Sequence, residues 1–326
     1  MSNESAAVGK TGPVTDSSPL GPVVHAGGSE IRVGTCSWTD RTLVQDTAWY
    51  PKKSMKAAER LAFYAARFSV VEADSTYYRP LTPELAAGWA ERSPDGFRMN
   101  VKAYSLMTGH PTKPETLWSD IRDAIEPEFA GKSTVYPSHL PDDAVDAVWY
   151  RFADALAPLR DGGKLGGVLL QYPQWFTPKR ANRDELARAR VRLGDVPIAV
   201  EFRSPLWFGA DDLDRTLGWL ADHQLALVNV DAPKVSKLPR LAVATADLAV
   251  VRLHGRADDT WRARTTSAAE RFRYLYEKQE LRPWVDRVHT LAEEAREVHV
   301  LFNNCYQDYG VRNAEEMTEM LLGPAR

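Results

Sequence analysis

Short apolar runs alternate with longer amphipathic segments along the chain from residue 31 onward. The runs are rich in Val, Ile, Leu and Phe, a composition typical of strands buried on both faces of a parallel sheet. They cover residues 31–37, 69–75, 97–102, 165–172, 197–203, 225–231, 248–254 and 298–304. The pattern therefore predicts eight strands in succession.

Helical periodicity fills most of the segments between these strands. Leu61, Tyr64, Ala65 and Phe68 recur three and four positions apart, as residues on one face of an amphipathic helix do. Further helices are predicted over residues 83–92, 143–159, 183–193, 211–222, 281–288 and 312–322. The sixth predicted strand has no clear helix after it, and the segment that follows is expected to be a loop over residues 232–247.

This alternation predicts an α/β fold, a (β/α)₈ TIM barrel formed by one domain over residues 30–326. An open doubly wound sheet is the alternative, but the count of eight and the absence of a linker favour the barrel. Residues 1–29 are rich in Gly, Ser and Pro without apolar periodicity, so we expect a disordered tail there. Two long connections, 103–141 and 255–277, follow strand ends and should overhang the active-site face.

Polar side chains share one face within most of the predicted strands. Because side chains alternate along a strand, Arg252 and His254 lie opposite Val251 and Leu253. The apolar face should contact the helices, so the polar face is predicted to point into the barrel near its C-terminal end, where active sites of this fold lie. The same argument applies to Glu72 and Asp74, Asn100 and Lys102, Glu201 and Arg203, and Asn229 and Asp231, while the fourth strand offers Gln171 and the eighth ends with Asn303 and Asn304.

Composition narrows the class of protein further. The chain of 326 residues has 41 Lys and Arg against 44 Asp and Glu, a formal charge of −3, which disfavours a dedicated nucleic-acid binder. No apolar run reaches the length of a membrane helix, and the N-terminus has no signal-peptide pattern. Two cysteines cannot form a disulfide scaffold. We therefore expect a cytosolic protein that does not contact a membrane.

The segments around the strands contain sequence motifs that resemble those of one protein family. In order, they are VGTCSW, FYAARFSVVEADSTYY, GFRMNVK, LGGVLLQYP, VEFRSPLW, VRLHGR, YLYEKQEL and LFNNCYQDYGVRNA. They resemble the YecE-like family, also called domain of unknown function 72. This resemblance implies a TIM barrel with its pocket at the strand C-termini. It leaves the reaction open, because the function of the family is not established.

The chain departs from the common pattern of that family at three positions. It has Asp74 where the resemblance has Asn, and Ser204 and Cys305 where it has His. A mechanism for this chain therefore cannot depend on histidines at positions 204 and 305.

The mixture of charges on the inward face suits a small, polar, anionic molecule, phosphorylated or carboxylated. We predict that Glu201, Asp231 and His254 act as acid and base, in a hydrolysis or an isomerisation. Loop aromatics after the strands could stack on a ring. The predicted substrate-binding residues are Lys102, Arg203, Arg252, Arg256, Asn303, Asn304, Asp74, Gln171, Trp38 and Tyr77.

Several alternatives stay open. No organic cofactor is signalled, since the chain has no Walker loop, no dinucleotide-binding turn and no CxxC. A divalent metal is compatible with the sequence, with Asp74, Glu201, Asp231 and His254 as its ligands. The interior charges could also form only a salt-bridge network, or the protein could bind a nucleotide, RNA or another anion without catalysis. Cys36 and Cys305 follow neighbouring strands, so a redox pair is a further hypothesis.

Overall fold

A closed barrel of eight parallel strands forms the centre of the molecule. The computed structural model describes residues 19–210, 212–262 and 268–323. The barrel strands lie in sequence order. The last of them, β9, pairs with the first barrel strand, β2, along six residues, and this pairing closes the barrel. They are β2 (Ser29–Thr35), β3 (Val70–Ala73), β4 (Arg98–Lys102), β5 (Leu165–Tyr172), β6 (Ile198–Phe202), β7 (Leu225–Asp231), β8 (Leu248–Leu253) and β9 (Glu297–Phe302). The predicted TIM-barrel class and all eight predicted strands are confirmed.

Helices surround the barrel, and their ends follow the usual capping chemistry. Thr82, for example, accepts a hydrogen bond from the Leu85 amide, and Pro83 occupies the first helical position, where no amide donor is needed. The helices are α1 (Arg41–Asp46), α2 (Ala57–Ala65), α3 (Pro83–Arg92), α4 (Ser119–Asp123), α5 (Asp142–Ala155), α6 (Ala157–Asp161), α7 (Arg180–Leu193), α8 (Leu213–Asp222), α9 (Asp258–Arg262), α10 (Ala268–Arg271), α11 (Lys278–Glu294) and α12 (Tyr309–Leu322).

The boundary predicted for the N-terminal tail is wrong at its C-terminal end. Residues Val23–Ala26 form a further strand, β1, which pairs antiparallel with the start of β2. Ser29, the last residue of the predicted tail, is already part of β2, where its hydroxyl donates a hydrogen bond of 2.6 Å to the carbonyl of Ala292. Gly27 and Gly28, both with positive φ, form the two-residue turn that joins the two strands. These glycines, which suggested disorder, are therefore the turn of a β-hairpin. Residues 1–18 of the predicted tail lie outside the described residues.

The core has two parts, one on each side of the sheet. Val168, Leu170 and Phe202 belong to the larger part, between the strands and the helices, whereas Leu169 and Ala199 belong to a smaller cluster inside the barrel. The inner cluster is apolar only in its lower layers. At the C-terminal end of the strands, polar and charged side chains replace it.

The two long connections lie at that same end. The connection after β4 forms α4 and several single 3₁₀ turns, and the connection after β8 contains α9 and α10. The segment 232–247 between β7 and β8 contains one 3₁₀ turn and no α-helix, as predicted. No helix formed by the described part of the chain is long and apolar enough to cross a bilayer.

Candidate active site at the C-terminal end of the barrel

A cleft of about 410 Å³ opens where the barrel strands end. Its lining residues come from the segments that follow β2, β3, β4, β5, β6, β8 and β9, so nearly the whole barrel contributes. The predicted residues among them are Asp74, Tyr77, Lys102, Gln171, Arg203 and Asn303. The cleft therefore brings together six of the predicted site residues.

A chain of buried ionic groups lies beneath the cleft, inside the barrel. Arg252 donates from Nη2 to Glu72 at 2.7 Å and from Nη1 to Glu201, so one guanidinium bridges two carboxylates. All three side chains are almost completely buried. The charges of Arg203 and Arg252 outweigh the burial that would raise the pKa of Glu201, and this pKa lies well below its usual range. Glu201 is therefore an ionised anchor and a weak base.

Two contacts connect this ionic chain to the cleft. Arg203, which lines the cleft, holds its Nε 2.6 Å from Oε1 of Glu201. His254, which does not line it, has its Nδ1 at 2.8 Å from Nδ2 of Asn303, and its Nε2 at 3.3 Å from Glu201. Burial and the charge of Arg203 lower the pKa of His254 to about 3, so its ring is neutral at pH 7. The acid/base role predicted for Glu201 and His254 stays a prediction, and both lie one layer below the cleft.

Asp74 and Lys102 form the titratable pair of the cleft itself. Burial, with the nearby charge of Glu72, raises the pKa of Asp74 to about 7 against the opposing charge of Lys102. Burial also lowers the pKa of Lys102, and the positive charge of Arg252 lowers it further. A carboxyl group that titrates near neutrality can both donate and accept a proton at pH 7, which is what general acid/base catalysis requires.

One histidine that lines the cleft is not among the predicted site residues. His110 lies in the long connection after β4 and lines the cleft, with its Nδ1 at 2.9 Å from the Thr108 hydroxyl. Burial and the charges of Lys102 and Arg203 lower its pKa to about 4, so it is neutral at pH 7. The available signal was the length of the connection, which was predicted to overhang the site. Periodicity cannot place a single loop residue.

The prediction that Asn229 and Asp231 point into the barrel is wrong. The inner face of β7 carries Val228 and Val230, and the polar residues face outward. Because no α-helix lies between β7 and β8, the loop 232–247 packs against the outer face of β7 and presents backbone groups that need partners. Asn229 satisfies them, with its Oδ1 accepting from the Val243 amide at 3.0 Å and its Nδ2 donating to the Val243 carbonyl at 3.1 Å.

Asp231 belongs to a polar cluster in the helix layer, apart from the cleft. Its carboxylate accepts hydrogen bonds from Arg240 at 3.0 Å, from Nη2 of Arg256 at 2.6 Å and from the indole of Trp284 at 2.6 Å. Arg256 also donates to Glu280 at 3.0 Å. The structure therefore places Asp231, predicted as catalytic, and Arg256, predicted as a substrate ligand, with structural partners on the outer face and not in the cleft, and their roles stay predictions.

The different directions of His254 and Arg256 follow from the glycine between them. Gly255 has φ of +88°, a conformation that L side chains rarely adopt, and β8 has already ended at Leu253. A Cβ atom at this position would lie 2.6 Å from Cβ of Tyr274. The turn at Gly255 ends the alternation of β8, so the parity argument does not extend to Arg256.

Two other predicted ligands also lie outside the cleft. Asn304 is fully buried and donates to the Tyr274 carbonyl at 2.8 Å and to Asn313 of α12 at 2.9 Å. Trp38 is buried with its ring edge-on to Trp89 of α3, the ring centres being 5.3 Å apart. The structure places both side chains between the strand ends and the helix layer and not in the cleft lining, and their predicted substrate contact stays a prediction. Arg252 is likewise below the cleft rather than in it.

The metal alternative depends on residues that the fold separates, whereas the redox pair stays a hypothesis. Asp231 lies on the outer face, away from the other three predicted metal ligands, and Glu201 is bound by arginines. Within residues 19–210, 212–262 and 268–323, no three His, Cys, Asp or Glu side chains are grouped as a metal site. Cys36 and Cys305 are both free thiols; Cys36 is 3.5 Å from Nη2 of Arg252, and Cys305 lines the cleft.

A second hollow of about 560 Å³ lies at the opposite, N-terminal end of the barrel. Its charged residues pair with each other: Arg98 lies 3.2 Å from Glu297, and Arg296 lies 3.4 Å from Asp247. This end of the fold lacks the titratable pair of the other end, so the C-terminal cleft is the candidate site.

Comparison with known proteins agrees with this architecture. The family model described as "Protein of unknown function DUF72" matches residues 32–325. UPF0759 protein YunF of Bacillus subtilis (strain 168) is 27% identical over 297 residues, covering 89% of this chain and 94% of that protein.

Solved structures give the same result. The crystal structure of a DUF72 family protein from Enterococcus faecalis V583 matches with a TM-score of 0.71 and 26% identity, covering 91% of this chain and 97% of that one. A DUF72 family protein from Thermotoga maritima MSB8 matches with a TM-score of 0.69 and 25% identity, covering 90% and 99%.

Proposed function

Since the chain belongs to the DUF72 family, whose model carries no known function, we propose from the geometry of the cleft that it is an enzyme that transfers a proton to or from a small polar anion. The proposal rests on one observation. Asp74, a carboxyl group with a pKa near 7, shares the cleft with the cations Lys102 and Arg203. A hydrolysis or an isomerisation needs such a group next to a site that holds the substrate.

The cations supply the site for the anionic group of the substrate. Lys102 and Arg203 both reach the cleft, and a guanidinium can donate two parallel hydrogen bonds to a phosphate or a carboxylate. Arg203 is held by Glu201 at its inner edge. Its outer edge is therefore the part available to a ligand, and no reorientation is needed when the ligand binds.

Glu201 and His254 act in this proposal as positioning residues. Glu201 fixes Arg203, and His254 fixes the Asn303 amide, which lines the cleft. Their depressed pKa values make both poor proton acceptors at pH 7. Asp74 is the better candidate for proton transfer. Because the resembling family pattern has Asn at this position, we assign this role to this chain alone.

The test is a screen of phosphorylated and carboxylated metabolites for turnover at pH 7. The wild type is compared with Asp74→Asn and with a matched control, Asp247→Asn, an exposed acid at the other end of the barrel. We expect the Asp74 variant to lose a factor of about 10² to 10⁴ in rate, the usual contribution of a general acid or base. The control should keep full rate. Full turnover by Asp74→Asn would refute the assignment, and anion binding without any turnover would favour the non-catalytic alternative.

A further inference from the structure

A row of four aromatic rings borders one side of the cleft. In order along the row they are Tyr78, Tyr77, His110 and Trp175, and neighbouring ring centres lie 4.9, 5.3 and 6.2 Å apart. Each neighbouring pair is arranged edge to face, the favourable geometry for aromatic contacts. We call these four residues the aromatic wall. It is assembled from the segments after β3, β4 and β5, which meet only in the folded barrel.

The two ends of the aromatic wall are exposed and border the cleft. Tyr78 and Trp175 each expose 62% of their surface, and both line the cleft, as the more exposed Tyr150 does not. Because these two exposed rings lie beside polar and charged groups in one concave site, they offer an apolar surface to a ligand. Tyr77 and His110, between them, are more buried and hold the row in place.

The aromatic wall adjoins the cationic part of the cleft directly. The ammonium group of Lys102 lies 4.6 Å from the ring centre of Tyr77, and the guanidinium of Arg203 lies 5.1 Å from the ring centre of Trp261 on the side of the α9 segment. These cation–π contacts fix both cations at the boundary between charged and aromatic surface. A ligand that reached the cations with its anionic group would place its remaining atoms against the rings.

We propose that the ligand of this cleft is a small compound in which a flat ring carries an anionic group, an aryl or heteroaryl phosphate or carboxylate. This inference rests on the proposed function and specifies its substrate class. The anionic group contacts Lys102 and Arg203, and the flat ring stacks on an exposed face at one end of the aromatic wall, that of Tyr78 or that of Trp175.

Charge and volume favour a small ligand over a polymer. The lining residues include the cations Lys102, Arg203 and Arg271 and the acids Asp40 and Asp74. When Arg252, Glu72 and Glu201 beneath the cleft are included, cations and acids balance, and partial protonation of Asp74 near pH 7 leaves only a fractional positive excess, which suits a single anionic group better than a polyanion. A volume of about 410 Å³ is within the range of small-molecule sites. Binding to a nucleic-acid strand would need a longer basic surface.

The experiment compares two series of ligands that differ only in the ring. One series is methyl phosphate, phenyl phosphate and 1-naphthyl phosphate; the other is acetate, benzoate and 1-naphthoate. Dissociation constants are measured by calorimetry at pH 6.5 for the full-length protein. We expect the naphthyl compound of at least one series to bind about tenfold or more tighter than its methyl counterpart, since stacking on one aromatic face gives a gain of that size. The series that binds identifies the anionic group.

Variants then assign the gain to the aromatic wall. In the double variant Tyr78→Ala/Trp175→Ala, the gain in affinity from the methyl to the naphthyl compound should fall below about threefold. The affinity for the methyl compound should stay unchanged. Trp175→Phe should keep most of the gain. Tyr150→Ala, which removes an aromatic side chain that is 73% exposed and does not line this cleft, should change nothing. Lys102→Met should weaken all members of the binding series by a similar factor.

The outcomes separate this inference from the proposed function. If methyl phosphate or acetate binds but the ring brings no gain, or if the gain persists without Tyr78 and Trp175, the aromatic inference is wrong and the anion site stands. If no anion of either series binds, the proposed function fails, and the inference fails with it. A steep dependence of affinity on salt for an oligonucleotide, with no binding of either series, would identify a polyanion site instead.

Discussion

Two buried carboxylates, Asp231 and Glu201, lie at the ends of neighbouring strands and are surrounded by arginines, but their environments differ. Asp231 accepts well-aligned hydrogen bonds from two arginines and an indole, and both arginines reach solvent. Glu201 sits inside the barrel, where Oε1 has no aligned donor although Arg203 and His254 are close. The donors around Asp231 are aligned with its carboxylate, whereas those near Oε1 of Glu201 are not.

The two clusters differ in how their buried polar atoms are paired. Atoms without an aligned partner occur beneath the cleft on Glu72, Glu201, Arg203, Arg252 and His254, whereas none occurs on the described members of the Asp231 cluster. Such atoms are rare in native structures. The inner cluster contacts Arg203 and Asn303, both of which line the cleft, so a change in it should be felt at the site.

The largest contrast should appear in the free energy of unfolding. Arg252→Met removes the guanidinium that bridges Glu72 and Glu201 and leaves Glu201 with Arg203 alone, and breaking such a buried pair costs roughly 3–5 kcal/mol. Asp231→Asn keeps the acceptor for Trp284, and its arginines can hydrate, so we expect a cost of about 1–2 kcal/mol. Urea unfolding at pH 7 measures both. An equal or larger loss for Asp231→Asn would refute the distinction between the clusters.

The turn that separates the two clusters gives the next largest effect. Gly255→Ala introduces a Cβ at φ of +88° and only 2.6 Å from Tyr274, so the strain should cost about 2 kcal/mol or more. The same urea titration measures the loss. A matched control is Gly218→Ala in α8, where the added Cβ has nothing within 4 Å and helix propensity favours alanine. A cost below that of the control would show that the turn is not constrained.

The pH dependence of stability should separate two opposing groups of the inner region. The pKa of His254 is about 3 when folded and near 6.5 when unfolded, so the unfolded state takes up the proton first and stability falls as pH drops from 6.5 to 3. The pKa of Asp74 is about 7 when folded and near 3.8 when unfolded, so stability falls as pH rises from 4 to 7. The two slopes oppose each other between pH 4 and 6.5.

Replacing one of these two groups should therefore reveal the pH dependence of stability that the other group causes. Asp74→Asn is expected to gain stability relative to the wild type as pH rises from 4 to 7, by at most about 1.4 kcal/mol per pH unit. His254→Asn is expected to gain relative to the wild type as pH falls below 6.5. Urea unfolding at pH 4, 5.5 and 7 tests both. Parallel pH profiles for the wild type and the two variants would contradict the assignments.

The smallest effect is expected at the rim of the outer cluster. Arg240 is one of several donors to Asp231 and is 31% exposed, so Arg240→Gln should cost less than about 1 kcal/mol. Its loss should leave binding of methyl phosphate or acetate unchanged, because it does not line the cleft. Weakened anion binding by this variant would show that the outer cluster also contributes to the site.

Much of the barrel interior follows from alternation along the strands. Glu72, Lys102, Glu201 and Arg252 lie inside the barrel as the parity of their strands predicts, and the alternating apolar residues of these strands belong to the outer part of the core. The argument fails at Asp231. There a loop replaces the helix, its backbone groups need polar partners, and the polar face of the strand turns outward.

Other parts of the site could not be read from the strands. Arg256 does not point to the side that strand alternation predicts, because the turn at Gly255 ends the alternation. The sequence alone does not reveal whether a glycine at the end of a strand has a positive φ. His110 and Trp175 reach the cleft from loops whose paths depend on tertiary packing. The raised pKa of Asp74 likewise depends on burial by elements distant in sequence. Periodicity predicts which residues share a face of a strand, and it cannot predict how deeply the loops bury them.

The central claim is that Asp74 exchanges a proton near neutral pH in a cleft built to hold an anion. A direct test is the NMR titration of the side-chain carboxyl carbons in protein labelled with ¹³C-aspartate, with Asp74→Asn used to assign the signal. The structure predicts a midpoint at about pH 7, which an anion bound to Lys102 and Arg203 should raise further. A midpoint in the ordinary range of an aspartate, near pH 4, would contradict the account.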